Sequence, residues 1–201
     1  MPSIYQLKPA FQGVLRPLVG ALARAGTTAN QVTVIAVLLS VAVGLAVGTV
    51  DDPRILLLLP LALFVRMALN AVDGMLAREH GQRSRLGAYL NELGDVVADA
   101  ALVAPFAFLA PFSPAWTAVV VALSIVAEYA GAMGPLAGAS RRYDGPMGKS
   151  DRALVFGALA LWAGLAPLPD AVAWAMPAVA LLLVATIVNR VRGALREGGT
   201  R

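Results

Sequence analysis

The chain has 201 residues, of which 59% are hydrophobic and only 14% are charged, and it contains no cysteine. A soluble globular domain is about half apolar and about a quarter charged, so this composition indicates a membrane protein. The lack of cysteine excludes disulfides, thiolate metal sites and cysteine nucleophiles. The net charge of +4 would suit nucleic acid or an anionic lipid surface, and the positions of the basic residues decide between them.

Residues 1–25 combine apolar and basic side chains at helical spacing, as Phe11 and Leu15 do with Lys8 and Arg16. This pattern predicts an amphipathic helix that lies in the membrane interface. An ordinary soluble helix is the alternative, but the apolar span that follows favours the interfacial helix. A secretory signal peptide does not fit, because charges interrupt the apolar positions and no small-residue cleavage site follows.

Six apolar stretches follow, each close to the ~20 residues that a helix needs to cross the ~30 Å hydrocarbon layer. They run over 32–50, 55–77, 86–110, 114–136, 151–168 and 171–189. Short connections rich in turn residues separate them. The sequence therefore predicts an all-α integral membrane protein with six transmembrane helices and an N-terminal interfacial helix. We expect a single domain over residues 1–201, with the six-helix bundle at 32–189.

The basic residues lie almost entirely on one side of the predicted bundle. Fourteen of the sixteen fall in the two terminal segments and in the loops after the second and fourth spans. Arg54 lies on the opposite side, and Arg66 lies inside a span. Because positively charged loops stay in the cytoplasm, both termini are expected there. The basic balance is thus a topology signal, and no nucleic-acid partner is predicted.

Polar residues concentrate in the second and third spans, where a charged side chain is expensive. Asn70 and Asp73 share one face of the second span, and Asn91, Asp95 and Asp99 share one face of the third. Because the two spans form a hairpin, we expect both sets to face each other near the cytoplasmic surface. Oxygen ligands without histidine or cysteine suit a hard cation such as Mg²⁺ or Mn²⁺. Hydrogen bonding across helices, or a structural ion pair, is the alternative.

The segment from position 70 to position 95 resembles the signature of the CDP-alcohol phosphotransferases, D-x2-D-G-x2-A-R-x8-G-x3-D-x3-D. Its eight defined positions fall here on Asn70, Asp73, Gly74, Ala77, Arg78, Gly87, Asn91 and Asp95. The segment from Thr28 to Thr33 also looks like the T-P-N-x-(I/V)-T segment that opens the first span in this family. The six spans and the interfacial helix agree with the family's architecture, so the resemblance covers nearly the whole chain.

The resemblance implies an enzyme of phospholipid biosynthesis. Such an enzyme transfers a phosphatidyl or other substituted phosphate group from a CDP-linked lipid, such as CDP-diacylglycerol, to a polar alcohol and releases CMP. The implied cofactor is one or two Mg²⁺ or Mn²⁺ ions, and a homodimer is usual for the family. The implied location is a bacterial inner membrane, with the active site on the cytoplasmic side. Glycerol 3-phosphate, inositol phosphate and serine are candidate acceptors, and phosphatidylglycerophosphate-type synthesis is the commonest bacterial use.

The resemblance also assigns roles by position. The metal-ligand places fall on Asn70, Asp73, Asn91 and Asp95, and Asp95 takes the place of the proposed general base. The places that contact CDP fall on Asn30, Gln31, Thr33, Gly74, Arg78 and Ser84. The family binds a phosphorylated alcohol with basic residues near the loop after the fourth span, which carries Arg141, Arg142 and Lys149. Ordinary positive-inside charge is the alternative explanation for that loop.

The chain departs from the signature at positions 70 and 91, where asparagine replaces aspartate. Each change removes a negative charge, so the affinity for divalent ions should fall. Glu92 or Asp99 could supply the missing charge, or the site could bind one ion and rely on Arg66 and Arg78. We expect a working enzyme of a divergent bacterial branch. The alternative is a catalytically impaired membrane protein that binds lipid or nucleotide on the same scaffold.

Two further polar residues have simpler explanations. Glu128 lies in the middle of the fourth span, and we expect it to pair with Arg66; a polar wall for the acceptor is the alternative. His80, the only histidine, is expected to be solvated in the hairpin loop. A small transporter would spread ionisable residues through the full membrane depth, and the one-sided cluster disfavours it.

Overall fold

The structure, a computed structural model, describes residues 8–199. This part of the chain is helical and contains no β-strand. Its α-helices are α1 (Lys8–Arg24), α2 (Ala29–Thr49), α3 (Leu58–Glu79), α4 (Arg85–Val103), α5 (Pro114–Ala132), α6 (Lys149–Leu165) and α7 (Ala175–Gly198). The prediction of six helices preceded by one N-terminal helix is confirmed. The first seven residues of the predicted interfacial segment lie outside the described residues.

Four helical segments in the described residues have the length and apolar composition needed to cross a membrane. They are Ala29–Thr49, Pro53–Glu79, Pro114–Ala132 and Asp170–Gly198. Helix α6 has only 17 residues. Helix α4 has 19 residues but carries Glu92, Asp95 and Asp99 along its length. The charges that make α4 a poor apolar span lie in and around the candidate site.

Two predicted spans end as α-helices at least four residues before the end that their apolar pattern suggested. The third span was expected to reach residue 110, but α4 ends at Val103, and a 3-10 turn with Pro105 in its first positions follows. The fourth was expected to reach residue 136, but α5 ends at Ala132 before a turn that contains Pro135. Proline has no backbone N–H to continue the α-helical pattern, whereas hydropathy alone does not detect this break.

Helix α2 packs against both α3 and α4, and it approaches α4 very closely. A Cβ atom at Gly44 would overlap the backbone carbonyl of Ala101, so only glycine permits this spacing. Elsewhere α5 packs on α7, α3 on α6, and α4 on α5. The main apolar core includes Phe106 and Phe156, whose rings make an edge contact at 5.2 Å between centroids. Helix α2 thus holds α3 and α4 near each other, and polar side chains of these two helices meet between them.

Helix α1 lies against the outside of the bundle through one apolar face. Val19 is fully buried and belongs to a small cluster with Val72, Met75 and Leu76 of α3. Arg16 and Glu79 add an ion pair with a nitrogen-to-oxygen distance of 3.1 Å. Val14 remains 77% exposed on the other side of the helix. This arrangement fits an amphipathic helix in the membrane interface.

Candidate active site

Oxygen-bearing side chains of α3 and α4 meet between the two helices. Asn70 Nδ2 donates a hydrogen bond to Asp95 Oδ1 over 3.2 Å. Asp73 is buried, and its Oδ2 accepts a 2.7 Å hydrogen bond from the Thr33 hydroxyl of α2. The charges of Asp73 and Asp95 are close enough to interact. We call Asn70, Asp73 and Asp95 the aspartate cluster; the structure brings together these three of the four predicted metal ligands.

Asn91, the fourth predicted ligand, lies one helical turn before Asp95 and is partly exposed. Its spacing of four residues places it on the same face of α4 as Asp95. Its amide oxygen is therefore on the side of α4 from which it can join Asp95 as a metal ligand.

The starts of α2 and α4 lie close together beside the aspartate cluster. A Cβ atom at Gly87 would come within 2.7 Å of Asn30 Oδ1, so the glycine makes room for that amide. Arg78 folds back over Gly74, where a Cβ would lie 3.0 Å from its guanidinium nitrogens. Asn30, Gly74 and Arg78, three of the predicted CDP contacts, thus border one side of the cluster.

Two other predicted CDP contacts form the caps that start these helices. Gln31 Oε1 accepts from the Thr28 N–H over 2.8 Å, and the Thr28 hydroxyl accepts from the Gln31 N–H over 3.2 Å. Ser84 Oγ accepts from the Gly87 N–H over 2.9 Å and begins α4. Each cap satisfies backbone donors that the first turn of a helix leaves free. These caps fix the first turns of α2 and α4, and the first turns of α2 carry two other predicted CDP contacts, Asn30 and Thr33.

The sequence analysis missed Gln82, which ties the α3–α4 hairpin to the start of α2. Its side-chain oxygen accepts from the Ala29 N–H over 2.6 Å, and its nitrogen donates to the Thr27 carbonyl over 3.2 Å. The residue lies in a short polar loop, where nothing in the sequence distinguishes it from a solvated glutamine.

Two cations of the chain also contact Asp95. Lys149, at the start of α6, donates to Asp95 Oδ1. Arg66 Nη2 donates to the Asp95 backbone carbonyl over 2.9 Å and lies 3.6 Å from Asp95 Oδ1. Lys149 was predicted to bind the acceptor, and its position next to the candidate base agrees with a place beside the reacting groups.

A buried network of ion pairs adjoins Asp95 and joins α3 to α7. Arg66 and Arg152 each bind one oxygen of Asp99. Arg152 also donates to Glu128 over 3.0 Å, and Arg190 lies 3.4 Å from the same carboxylate. Because arginines bind both oxygens of Asp99, we assign this residue to the network and not to metal binding.

The predicted pairing of Arg66 with Glu128 is wrong. The Arg66 side chain extends from α3 to α4 and binds Asp99 there. It forms no ion pair with Glu128 of α5. Arg152 of α6 and Arg190 of α7 neutralise Glu128 instead. The sequence analysis could identify charges that needed partners, but the packing of α6 and α7 decides which partner is adjacent.

Glu92 and Arg141 form a further pair at the edge of the cluster, 2.8 Å apart. Arg141 also lies 3.6 Å from Glu128, and its guanidinium stacks 4.8 Å from the centre of the Tyr143 ring. Burial lowers the pKa of Arg141, but the charge of Glu92 and the nearby Tyr143 outweigh it and leave the pKa above its usual range. Glu92, a possible metal ligand by sequence, is thus paired with an arginine.

Arg142 is the one predicted acceptor-binding residue that the structure directs elsewhere. Its guanidinium binds Asp144 over 2.7 Å and Glu197 over 2.6 Å, at the end of α7. Glu197 also accepts hydrogen bonds from the Ser140 N–H and from the Ser140 hydroxyl, each over 2.9 Å. These contacts fasten the α5–α6 loop to α7, which keeps Arg141 and Lys149 in place.

The aspartate cluster has a donor set that suits a divalent ion. Between positions 8 and 199, no three histidine, aspartate or glutamate side chains come close enough together to hold a metal. The cluster instead offers two carboxylates and the Asn70 amide oxygen, with Asn91 one turn away. Oxygen atoms of this kind fit Mg²⁺ or Mn²⁺. Only two carboxylates belong to the cluster, and Lys149 already contacts one of them, Asp95.

Comparison with known proteins gives a consistent result. The family model described as CDP-alcohol phosphatidyltransferase matches residues 26–188. The chain is 43% identical over 197 residues to the inner membrane protein YnbA of Escherichia coli (strain K12), covering 96% of each protein. It is 33% identical over 118 residues to the phosphatidylinositol phosphate synthase of Mycobacteroides abscessus, covering 59% of this chain and 52% of that protein.

The fold is similar to that of the phosphatidylinositol phosphate synthase of Mycobacterium tuberculosis. Its crystal structure with CDP-DAG bound gives a TM-score of 0.70 at 25% identity, covering 89% of this chain and 92% of that chain. A crystal structure of the same enzyme with manganese and citrate gives a TM-score of 0.70 at 24% identity, covering 89% and 87%.

Proposed function

Because the chain belongs to the CDP-alcohol phosphatidyltransferase family, we propose that it transfers a substituted phosphate group from a CDP-linked lipid to a polar alcohol and releases CMP. CDP-diacylglycerol is the proposed donor, and the proposed role is phospholipid biosynthesis in a bacterial inner membrane. The observation that carries the proposal is the meeting of Asn70, Asp73 and Asp95 between α3 and α4. The distribution of basic residues supports a cytoplasmic site with both termini on the same side.

The starts of α2 and α4 are the proposed binding place for CDP. Asn30 offers an amide beside Gly87, and Arg78 offers a guanidinium beside Gly74. A guanidinium group suits a diphosphate because it can donate two parallel hydrogen bonds. Thr33 holds Asp73 in place, and the caps of Gln31 and Ser84 hold the helix starts. The lipid tails would then extend along apolar helix faces into the membrane.

Asp73, Asp95, Asn70 and Asn91 are the residues that would hold one Mg²⁺ or Mn²⁺ ion. When bound, a divalent ion neutralises charge on the diphosphate and makes CMP a better leaving group. The mycobacterial enzyme of this fold was crystallised with manganese and citrate, which supports a divalent ion here.

Asp95 is the proposed general base. It would accept the proton of the acceptor hydroxyl while the oxygen attacks the phosphorus next to the lipid. A bond forms between that oxygen and the phosphorus, and the bond from the phosphorus to CMP breaks. Lys149 and Arg66 would keep the carboxylate oriented toward the acceptor. Holding both substrates in this geometry supplies much of the rate increase.

The test is CMP release by the purified full chain in lipid vesicles. The assay contains CDP-diacylglycerol, Mn²⁺ and a panel of polar alcohols, with matched reactions that contain EDTA or lack the alcohol. We expect CMP with at least one alcohol, and we expect none in either control. The lipid product, identified by mass spectrometry, must contain the added alcohol.

A second candidate function is binding of lipid or nucleotide without turnover. The observations that favour it are the amides at positions 70 and 91 and the contact of Lys149 with Asp95, which leave less negative charge for a metal. Saturable binding of CDP-diacylglycerol without CMP from any alcohol would support this candidate. The homodimer implied by the family remains a prediction, which light scattering of the purified protein can test.

A further inference from the structure

The charge balance around Asp95 points to the class of acceptor, an inference that rests on the proposed function. We propose that the acceptor is a polar alcohol without a phosphate group and without net charge, such as a polyol or a zwitterion. The basic loop after the fourth span suggested a phosphorylated alcohol from the sequence alone. In the structure, carboxylates of the chain itself already bind the cations of that region.

The two loop cations that reach the region each have an acidic partner. Lys149 binds Asp95, and Arg141 binds Glu92 over 2.8 Å. Arg142 is directed away to Asp144 and Glu197. A phosphate group that entered here would have to displace a carboxylate before it could gain a cation.

The deeper cations are neutralised in the same way. Arg152 binds Asp99 and Glu128, and Arg190 lies 3.4 Å from Glu128. Both arginines are only 2% exposed, so solvent does little to screen these pairs. Around Asp95, the residues joined by these ion pairs, together with Asp73, comprise five cations and five carboxylates. They are Arg66, Arg141, Lys149, Arg152 and Arg190, and Asp73, Asp95, Asp99, Glu92 and Glu128.

A balanced set of charges disfavours a dianionic acceptor. One divalent ion and Arg78 would serve the two negative charges of the donor's diphosphate, so the ion pairs around Asp95 offer a second phosphate no unpaired cation. A phosphate on the acceptor would add negative charge beside Glu92 and Glu128. Uncompensated charge in a partly buried place is costly, and like charges in contact oppose binding.

An uncharged alcohol, in contrast, can use the groups that are present. Glu92 lies three residues before Asp95, on the same side of α4, and its side chain is 35% exposed. Its carboxylate can accept hydrogen bonds from hydroxyl groups of the acceptor. These contacts would orient one hydroxyl of the acceptor toward Asp95. Binding of this kind uses hydrogen bonds alone and requires no cation of the protein.

The experiment uses the full chain in vesicles with CDP-diacylglycerol and Mn²⁺. Acceptors are offered in matched pairs: glycerol and glycerol 3-phosphate, inositol and inositol 1-phosphate, serine and phosphoserine. We expect kcat/KM for at least one unphosphorylated alcohol to exceed that for its phosphorylated partner by about 10-fold or more. Preference for the phosphorylated member of a pair would overturn the inference and leave the proposed transferase function intact.

The variant Glu92→Gln tests the proposed cause. It keeps the shape of the side chain but frees Arg141 from its nearest negative partner. We expect the ratio of phosphorylated to unphosphorylated acceptor use to rise by about 10-fold, mainly through KM. The control is Glu79→Gln, which removes the carboxylate of the Arg16 pair at the surface and should leave the ratio unchanged. An unchanged ratio in Glu92→Gln, or an equal rise in the control, would overturn the inference.

A binding measurement separates this inference from failure of the transferase proposal. Binding of radiolabelled glycerol 3-phosphate to the purified protein is measured by equilibrium dialysis, with CDP and Mn²⁺ present. We expect weak binding by the wild-type chain and tighter binding by Glu92→Gln. Tight binding by the wild-type chain would contradict the inference whether or not CMP is released. Absence of CMP with every acceptor would instead overturn the proposed function, and the acceptor inference with it.

Discussion

The two sides of Asp95 are built from different interactions. The donor half comprises α2, most of α3 and the start of α4, where hydrogen bonds from uncharged donors and small residues dominate. Thr33 binds Asp73 there, and Gly87 makes room for Asn30. The acceptor half comprises the rest of α4 with α5, α6 and α7, where arginine–carboxylate pairs dominate. Arg152 alone contacts two carboxylates, Asp99 and Glu128.

This difference indicates what each half can bind. The donor half keeps Asp73, Asn70 and the guanidinium of Arg78 available for a cation and a diphosphate. The acceptor half has neutralised its own charges and so favours a neutral alcohol. The buried pairs in that half are poor evidence of added stability, because desolvation offsets much of their attraction. They serve instead to set the local charge and the position of Lys149.

The largest effect is expected where the halves meet, at Asp95. Asp95→Asn removes the proposed base but keeps the size of the side chain. We expect CMP release to fall about 1,000-fold, within the usual contribution of general base catalysis. The readout is kcat for CMP release, with thermal unfolding to verify that the bundle remains folded. Asp170→Asn, an exposed change in the turn before α7, is the matched control and should retain activity. Full activity in Asp95→Asn would exclude Asp95 as the base.

Breaking the charge network should destabilise the acceptor half. Glu128→Gln leaves Arg152 and Arg190 without one of their negative partners. Loss of one member of a buried ion pair costs about 3–5 kcal/mol, so the unfolding temperature should drop clearly. Glu79→Gln, at an exposed pair, is the matched control and should change little. Equal drops in unfolding temperature in the two variants would mean that the buried ion pairs affect stability no more than an exposed pair does.

The donor half should instead be sensitive to close packing. Gly44→Ala places a methyl group against the carbonyl of Ala101 and must separate α2 from α4. We expect a loss of about 1–3 kcal/mol in the free energy of unfolding, as for overpacking elsewhere. Gly48→Ala, one turn later on α2, meets no atom within 4 Å and is the matched control. If Gly44→Ala is as stable as Gly48→Ala, the close α2–α4 contact is incorrect.

Restoring a carboxylate in the donor half should strengthen metal binding. Asn70→Asp adds one negative charge next to Asp95, and we expect about 10-fold tighter Mn²⁺ binding because ligand charge tunes affinity. Titration followed by electron paramagnetic resonance measures the dissociation constant. The control Asn189→Asp makes the same change on an exposed part of α7, away from the cluster. Unchanged affinity in Asn70→Asp would mean that position 70 is not a ligand.

The donor half was largely predictable from the sequence, and the acceptor half was not. Asn70, Asp73 and Asp95 lie on two consecutive helices, so helical periodicity and one short hairpin are enough to bring them together. The helix ends at Val103 and Ala132 were missed because hydropathy does not register where a following proline ends a helix.

The acceptor half depends on contacts between distant parts of the chain. Arg152 and Glu128 are 24 residues apart, and Arg190 lies on the last helix. Helical periodicity does not relate residues so far apart in the sequence. The five charged residues of the buried network could be paired in many ways. The sequence therefore identified Glu128 as needing a partner but chose Arg66. Only the packing of α6 against α3, with α7 beside α5, assigns Arg152 and Arg190 to that role.

The most direct test of the account asks whether a cation held between α3 and α4 touches the donor's diphosphate. The full chain is loaded with Mn²⁺ and CDP-diacylglycerol, and electron–nuclear double resonance measures coupling between the metal and phosphorus. We predict one bound Mn²⁺ per chain with a clear phosphorus coupling, both lost in Asp73→Asn. Bound Mn²⁺ without phosphorus coupling, or coupling that persists in Asp73→Asn, would contradict the account.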